Sequence, residues 1–121
     1  MIVIDCLQLI MLFGNAREKI SEIIDTLKKF ARELNVIVIL TSQLSRKEIH
    51  RKSHRPILSN LEYEKLSDYA DIILLLYDDT KYNTDSKEKD ILEIIIAKNI
   101  DKKLGTVKIS KKDIFEFKKE S

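Results

Sequence analysis

Tryptophan is absent from this chain, proline and cysteine occur once each, and glycine occurs only at Gly14 and Gly105. So little proline and glycine excludes a collagen-like or linker-rich chain and predicts regular elements over most of the length. Cys6 has no second cysteine to pair with, which excludes an internal disulfide scaffold and fits a reducing, cytosol-like compartment. No charged-then-apolar leader opens the sequence. Nor does any apolar run approach the roughly 20 residues that a membrane-spanning helix requires, since Ile72–Tyr77 and Ile91–Ala97 are of strand length. A soluble, cytoplasmic protein without a membrane partner is expected. Charge of one sign is lacking as well: 22 Lys and Arg stand against 20 Asp and Glu, a formal +2. That balance excludes a protein that coats nucleic acid through its overall field, and it restricts any such contact to a local patch.

What is present is 35% charged and 44% hydrophobic residues in 121 positions, which suits one compact domain with a modest core. Ile2–Ile4 is a short β-branched run that reaches Asp5, and it reads as a strand buried on both faces with a carboxylate at its carboxyl end. From Ile20, apolar residues recur at Ile23, Ile24, Leu27, Phe30, Ala31 and Leu34, one stripe of an α-helix. Asn15 followed by Glu18 reads as its start cap and Asn35 as its end. Val36–Leu40 is again continuous and β-branched, so a strand, helix, strand unit with parallel strands and a right-handed crossover is predicted. Residues 42–58 are polar and basic, with Arg46, Lys47, Arg51, Lys52 and Arg55 ahead of Pro56, and are expected to form a mobile loop. Ser59 reads as the cap of a short helix to about Tyr69, followed by a strand at Ile72–Tyr77 and a polar loop at residues 78–89. Strands at Ile91–Ala97, Gly105–Ser110 and Ile114–Phe117, with turns at Asn99–Lys103 and Ser110–Asp113, close the chain as an antiparallel meander. The fold class is α/β.

Six pieces, IVIDCLQL, SQLSR, RPILSNL, DYADIILLLY, EIIIAKN and GTVK, span nearly the whole chain. In that order they resemble the carboxyl-terminal half of the RecA-like motor domain of replicative DNA helicases of the DnaB type. The resemblance implies a partial RecA-like P-loop ATPase fold, with a mostly parallel sheet and the antiparallel meander at its end. It gives Asp5 the role of the Walker B carboxylate, which holds the magnesium ion that bridges nucleotide phosphates. A ligand at Asp5 agrees with the general rule that open parallel sheets bind beyond the carboxyl ends of their strands. Taken alone, a strand-end Asp equally serves to cap the turn that follows. Gln43 corresponds to the family's sensor glutamine, whose amide can donate to a γ-phosphate and accept from a water. By spacing alone it is a polar residue leaving a strand. Lys98 matches a family lysine that reaches toward the nucleotide of the neighbouring subunit, its alternative being a solvated turn lysine. Asp5, Gln43 and Lys98 are thus the nucleotide-binding candidates, Gln43 and Lys98 the catalytic ones, and Asp5 the metal ligand.

The chain departs from the family pattern in several places. The phosphate loop G-x-x-x-x-G-K-[ST] is not spelled within these residues, and Met1 stands immediately before the Walker B strand. The strand bearing that loop, and the acidic residue that polarises the attacking water, lie upstream in the family and are lacking here. Where the family carries Lys-x-Arg, the sequence reads Lys98, Asn99, Ile100, so no arginine finger is offered. Such a finger is worth on the order of 10³ to 10⁵ in rate in related GTPases, or roughly 4 to 7 kcal/mol. The family's DNA-binding Leu-Arg-Glu-Ser-Gly becomes Leu61, Glu62, Tyr63, Glu64, Lys65, and a carboxylate at Glu62 repels the phosphate backbone that an arginine attracts. Contact with single-stranded DNA then falls to Arg46, Lys47, Arg51, Lys52 and Arg55. The alternative there is a solvated charge run, favoured by Glu48 and the lack of interleaved aromatics. His50 and His54 have no third ligand beside them, so they do not make a metal site.

The expected function is a fragment or degenerate relative of an ATP-dependent replicative DNA helicase, using ATP and magnesium only when completed by a P-loop partner. One alternative is a catalytically silent module that binds helicase subunits or a loader. Another is weak binding of single-stranded DNA through the basic loop. Loss of the phosphate-loop strand leaves backbone groups unpaired, which predicts self-association or docking onto a partner.

Overall fold

The computed structural model describes residues 1–45 and 52–120, and the side chains of all of these except residue 115 and residues 117–120. Arg46, Lys47, His50 and Arg51, and with them most of the expected mobile loop, lie outside the described residues. The chain divides into two compact units, Met1–Lys47 with Ser59–Tyr69, and Glu48–Leu58 with Ala70–Ser121.

The first unit is built on a parallel pair, β1 (Ile2–Ile4) and β2 (Val38–Leu40), with Ile2 opposite Val38 and Ile4 opposite Leu40. A short helix, α1 (Leu7–Ile10), follows β1, and α2 (Ile20–Glu33) makes the crossover. Helix α2 begins where the apolar stripe begins, with Ile20 and Ile24 buried. It does not begin at Asn15 as expected. Residues 15–19 form three-residue turns, with Glu18 N–H on the Asn15 carbonyl at 3.1 Å and Lys19 N–H on the Ala16 carbonyl at 3.1 Å. In that stretch only Ala16 offers an apolar side chain, and a helix is held by its buried face more than by its cap. Asn35 does end the helix. It takes φ +50°, while Val36 N–H bonds the Ala31 carbonyl at 3.0 Å and Asn35 N–H bonds the Arg32 carbonyl at 3.3 Å, the two bonds of a Schellman ending. That ending uses Val36, so β2 starts at Val38 instead.

Two further expectations for this unit are corrected. Ile2 and Val3 are exposed, so β1 is not buried on both faces; among the described residues its sheet has one other strand. The helix expected from Ser59 starts only at Lys65, as α3 (Lys65–Tyr69), after a 3-10 turn at Leu58–Asn60. Leu61 is committed to an antiparallel bridge with Leu44, and the Asn60 carbonyl accepts from Ser45 N–H at 2.7 Å. Those long-range bonds hold residues 60 and 61 extended and override the local helix signal.

The second unit is an antiparallel sheet in the order β3 (Ile72–Tyr77), β4 (Ile91–Asn99), β5 (Gly105–Ser110). The described sheets are thus not mostly parallel: the parallel part is confined to β1 and β2. The expected strand at Ile114–Phe117 is instead part of a helix, α4 (Lys111–Glu120). Ser110 Oγ accepts from Lys112 N–H at 3.2 Å and Asp113 sits in the first turn, so the segment read as a turn is a helix start. Ile73, Leu75 and Tyr77 are buried on one face of β3, while Ile72, Leu74 and Leu76 are exposed on the other. Strand β4 carries a bulge at Ala97, because Ile73 pairs with Lys98 and Leu74 with Ile96.

Glu93, only 3% exposed, lies on the buried face opposite Tyr77. A buried carboxylate needs a partner. Arg55 supplies it with a two-pronged pair, Nη1 to Oε2 and Nη2 to Oε1 at 2.7 Å, and its guanidinium lies 5.0 Å from the Tyr77 ring centroid. Burial, with the hydrogen bond to Asp79 Oδ1 at 2.8 Å, pushes the Tyr77 phenol up to about 12, the nearby Arg55 charge opposing. A raised folded pKa gives stability that is fully present below the tyrosine's ordinary value near 10 and is lost as pH rises to about 12. Denaturant unfolding followed over that window should therefore show the second unit losing roughly 2 to 3 kcal/mol, a loss that Tyr77→Phe removes. Equal slopes for the two proteins would contradict the assignment.

Candidate functional site

The first unit supplies the site. Because β1 and β2 run parallel and in register, the residues that follow them, Asp5 and Thr41, emerge side by side at the carboxyl ends of both strands. Thr41 N–H bonds the Ile4 carbonyl at 3.0 Å and Leu7 N–H bonds the Thr41 carbonyl at 2.9 Å, which carries the pairing past the strand ends. Thr41 Oγ1 donates to Asp5 Oδ1 at 2.6 Å. Asp5 is exposed, so its carboxylate is oriented by the threonine without being taken out of water. With one oxygen engaged by Thr41, acceptor capacity remains on the group for a second contact. The peptide between Asp5 and Cys6 is cis.

Gln43 stands two residues beyond Thr41, with an exposed side chain and a firmly held backbone. Its N–H donates to Gln8 Oε1 at 3.0 Å and its carbonyl accepts from Gln8 Nε2 at 3.3 Å. Gln8 Nε2 also donates to Ser42 Oγ at 3.1 Å and to Glu62 Oε2 at 2.9 Å. Arg17 Nη2 reaches the other Glu62 oxygen at 3.5 Å. A cleft of about 380 Å³ opens beside Glu62, lined by Arg17, Ile20, Leu61, Tyr63 and Lys65 among others.

Asp5 and Gln43, both nucleotide candidates, are therefore brought to one end of the parallel pair. Lys98 belongs to the second unit and is not beyond the strand as expected but inside β4, which runs to Asn99. The bulge at Ala97 sets it opposite Ile73, on the face that carries Leu75, Tyr77 and Glu93. Of the DNA-contact candidates, Arg46, Lys47 and Arg51 lie outside the described residues. Lys52 is exposed, and Arg55 is engaged with Glu93. Ile100, at the expected finger position, is 63% exposed. Among the described residues no three or more His, Cys, Asp or Glu gather as a metal-ligating group. A magnesium ion asks for less, since it commonly takes one or two carboxylates and fills its octahedron with water and phosphate oxygens. Asp5 fits as one such ligand.

Thr41 and Gln8 were not singled out from the sequence. Thr41 was findable: two strands of equal length in parallel register place the next residues of each side by side, and a hydroxyl beside a carboxylate is a hydrogen bond in waiting. Gln8 was not, because its partners are 34 to 54 residues away.

A crossover unit whose strands end on an oriented carboxylate and a pinned glutamine defines the class: a mixed α/β domain of the RecA-like ATPase type. Within that class the chain belongs to the DnaB-like helicase C terminal domain family, which matches residues 1–119. It is 47% identical over 115 residues to the replicative DNA helicase DnaB of Geobacillus stearothermophilus, covering 91% of this chain and 25% of that protein. It is 44% identical, over the same shares, to the replicative DNA helicase DnaC of Bacillus subtilis. Among solved structures, a DnaB-like replicative helicase, from a study of its interactions with primase, superposes with a TM-score of 0.77 at 44% identity, over 89% of this chain and 27% of that one. A second solved structure, of an isolated ATPase domain, gives 0.79 at 45% identity, over 89% and 39%. The chain spans about a quarter of the length of the curated relatives it matches. No helix among the described residues is long and apolar enough to cross a membrane.

Proposed function

We propose that this chain supplies the Walker B and sensor part of an ATP-dependent replicative DNA helicase motor, and that it takes up ATP and magnesium only together with a segment bearing a phosphate-binding loop. The observation that carries this reading is the Thr41-oriented, exposed carboxylate of Asp5 at the shared end of two in-register parallel strands, with Gln43 two residues on. In this role Asp5 is one ligand of the nucleotide-bound magnesium, Gln43 meets the terminal phosphate, and Lys98 serves the nucleotide of a neighbouring subunit. The bound ion supplies charge neutralisation on the phosphates. What the chain contributes is a carboxylate already aimed and a glutamine whose peptide is already fixed, so less ordering remains when the nucleotide arrives.

The partners in this reading are a second copy, other helicase subunits or a loader. The exposed Ile72, Leu74 and Leu76 on one face of β3 support it, since an apolar sheet face of that kind marks a surface made to be covered. Single-stranded DNA is a further partner, through Arg46, Lys47, Arg51, Lys52 and Arg55, the pairing of Arg55 with Glu93 leaving Lys52 as the better-placed cation of the two described.

A second reading is favoured by two observations. Ile100 is exposed where the family places an arginine, and the Glu62 carboxylate is neutralised internally by Gln8 and Arg17. Both suit a module that kept the scaffold for binding helicase subunits and lost the chemistry. One experiment separates the two. The chain is mixed with a separately made phosphate-loop segment, and assembly is followed by sedimentation and ATP hydrolysis by phosphate release. Assembly with hydrolysis above the sum of the parts supports the motor. Assembly without hydrolysis supports the module, and no assembly removes both.

A further inference from the structure

Gln8 lies on α1, three residues after Asp5, and its one carboxamide touches two separate segments. The oxygen accepts from the Gln43 peptide N–H, and the nitrogen donates back to the Gln43 carbonyl, to Ser42 Oγ and to Glu62 Oε2. The orientation of the amide follows from its partners, because a peptide N–H can only donate and a carboxylate can only accept. Toward Gln43 the side chain thus acts as a substitute peptide, offering the donor and acceptor that a neighbouring strand would offer at the point where β2 has ended.

The balance of these bonds is uneven. Two protons on Nε2 serve three acceptors, and the shortest contact, 2.9 Å, is with the charged one, Glu62. A glutamine side chain has three torsions to hold, and its bonds to Gln43 and Ser42 are at 3.0 to 3.3 Å. The carboxylate is therefore what keeps the amide in the one rotamer that matches the Gln43 peptide. Arg17, a looser contact at 3.5 Å, holds the opposite oxygen of Glu62 and steadies the same arrangement.

We propose that Gln8 is a positioning residue that fixes the backbone of Gln43 and makes that hold depend on Glu62, so that displacing the segment at residues 61–65 loosens the loop that carries Gln43. What this does for catalysis rests on the proposed role of Gln43 toward the nucleotide: a ligand that draws Glu62 away would reset the sensor through Gln8. The coupling itself is a property of the chain alone.

Amide hydrogen exchange of the 121-residue chain, read residue by residue by NMR, tests it without any nucleotide. Gln8→Leu should speed exchange at the Gln43 N–H by about 5- to 10-fold, the effect of losing one partly exposed hydrogen bond. Glu62→Leu, a change in a distant segment with no bond to that N–H, should speed it several-fold as well, and the double variant should be no faster than Gln8→Leu. The β2 amides should keep their rates in all three, which separates lost positioning from unfolding. Unchanged Gln43 exchange in Glu62→Leu, or effects that simply multiply in the double variant, would overturn the proposal, as would equal acceleration along β2. Should Gln8→Leu not fold, Glu62→Leu compared with Glu62→Gln, which keeps an acceptor and should lie between, decides the matter. Failure of the reconstitution with a phosphate-loop segment would leave these rates untouched, so the two ideas fall separately.

Discussion

In the domain completed by a phosphate-loop segment, Asp5→Asn should lower ATP turnover by about 100-fold or more, equivalent to roughly 2.7 kcal/mol or more of lost transition-state stabilisation. Asparagine keeps the shape of the side chain, and its carbonyl oxygen can still accept the Thr41 hydroxyl now 2.6 Å from Asp5 Oδ1. What it removes is the negative charge, and a neutral amide is a poor exchange for a carboxylate at a hard dication. Because Asp5 is exposed, the substitution should leave thermal stability nearly unchanged. Thr41→Val makes the complementary cut, leaving the charge and removing its orientation, and a loss on the order of 10-fold is expected from misplacement alone. Steady-state phosphate release against magnesium concentration distinguishes them: Asp5→Asn should demand far more magnesium, and Thr41→Val only somewhat more. Undiminished turnover in Asp5→Asn would remove Asp5 from the reaction.

Leu7→Ala should destabilise the first unit by about 3 kcal/mol, the middle of the range for emptying a filled leucine site. Leu7 is the completely buried side chain of the structure, at 0% exposure, while its backbone N–H closes on the Thr41 carbonyl at 2.9 Å. It therefore anchors α1 beneath the Asp5 and Thr41 pair from both its side chain and its peptide. Alanine keeps the peptide bond to Thr41 and leaves a void of several methyl groups that a four-residue helix has little freedom to close. Denaturant unfolding with probes in each unit is the measurement. A loss below about 1 kcal/mol, or one felt only in the second unit, would contradict the placement of Leu7 as the keystone of the site.

The parts of the fold legible in the sequence were those decided locally. The stripe from Ile20, the Asn35 ending, and strands β3 and β5 at Ile72–Tyr77 and Gly105–Ser110 all stand at the expected residues. Each is set by side chains within a few positions of one another. The errors fall where distant partners or competing caps decide. The backbone at Asn60 and Leu61 is held by Ser45 and Leu44, which no window around Ser59 contains. At Ile114 the alternation of apolar residues suggested a strand, yet Ser110 and Asp113 already spelled a helix start. For the site, the resemblance singled out Asp5 and Gln43, and parallel register explains why they share an end. The amide of Gln8 that ties the Gln43 loop to Glu62 depends on tertiary approach and had no signature in spacing.

The extra residue at Ala97 lets a single strand serve two parities. From Glu93 to Ile95 the side chains that share the inner side of β4 are odd-numbered, and beyond the irregularity it is the even-numbered Lys98 that stands opposite Ile73. Length, more than identity, is what this stretch must conserve. Trading one aliphatic residue for another among Ile94, Ile95 and Ile96 is a mild change, whereas deleting Ala97 would turn the lysine to the reverse side of the sheet and deliver Asn99 in its stead. Relatives that differ here should accordingly vary in letters while holding the count between glutamate and lysine fixed.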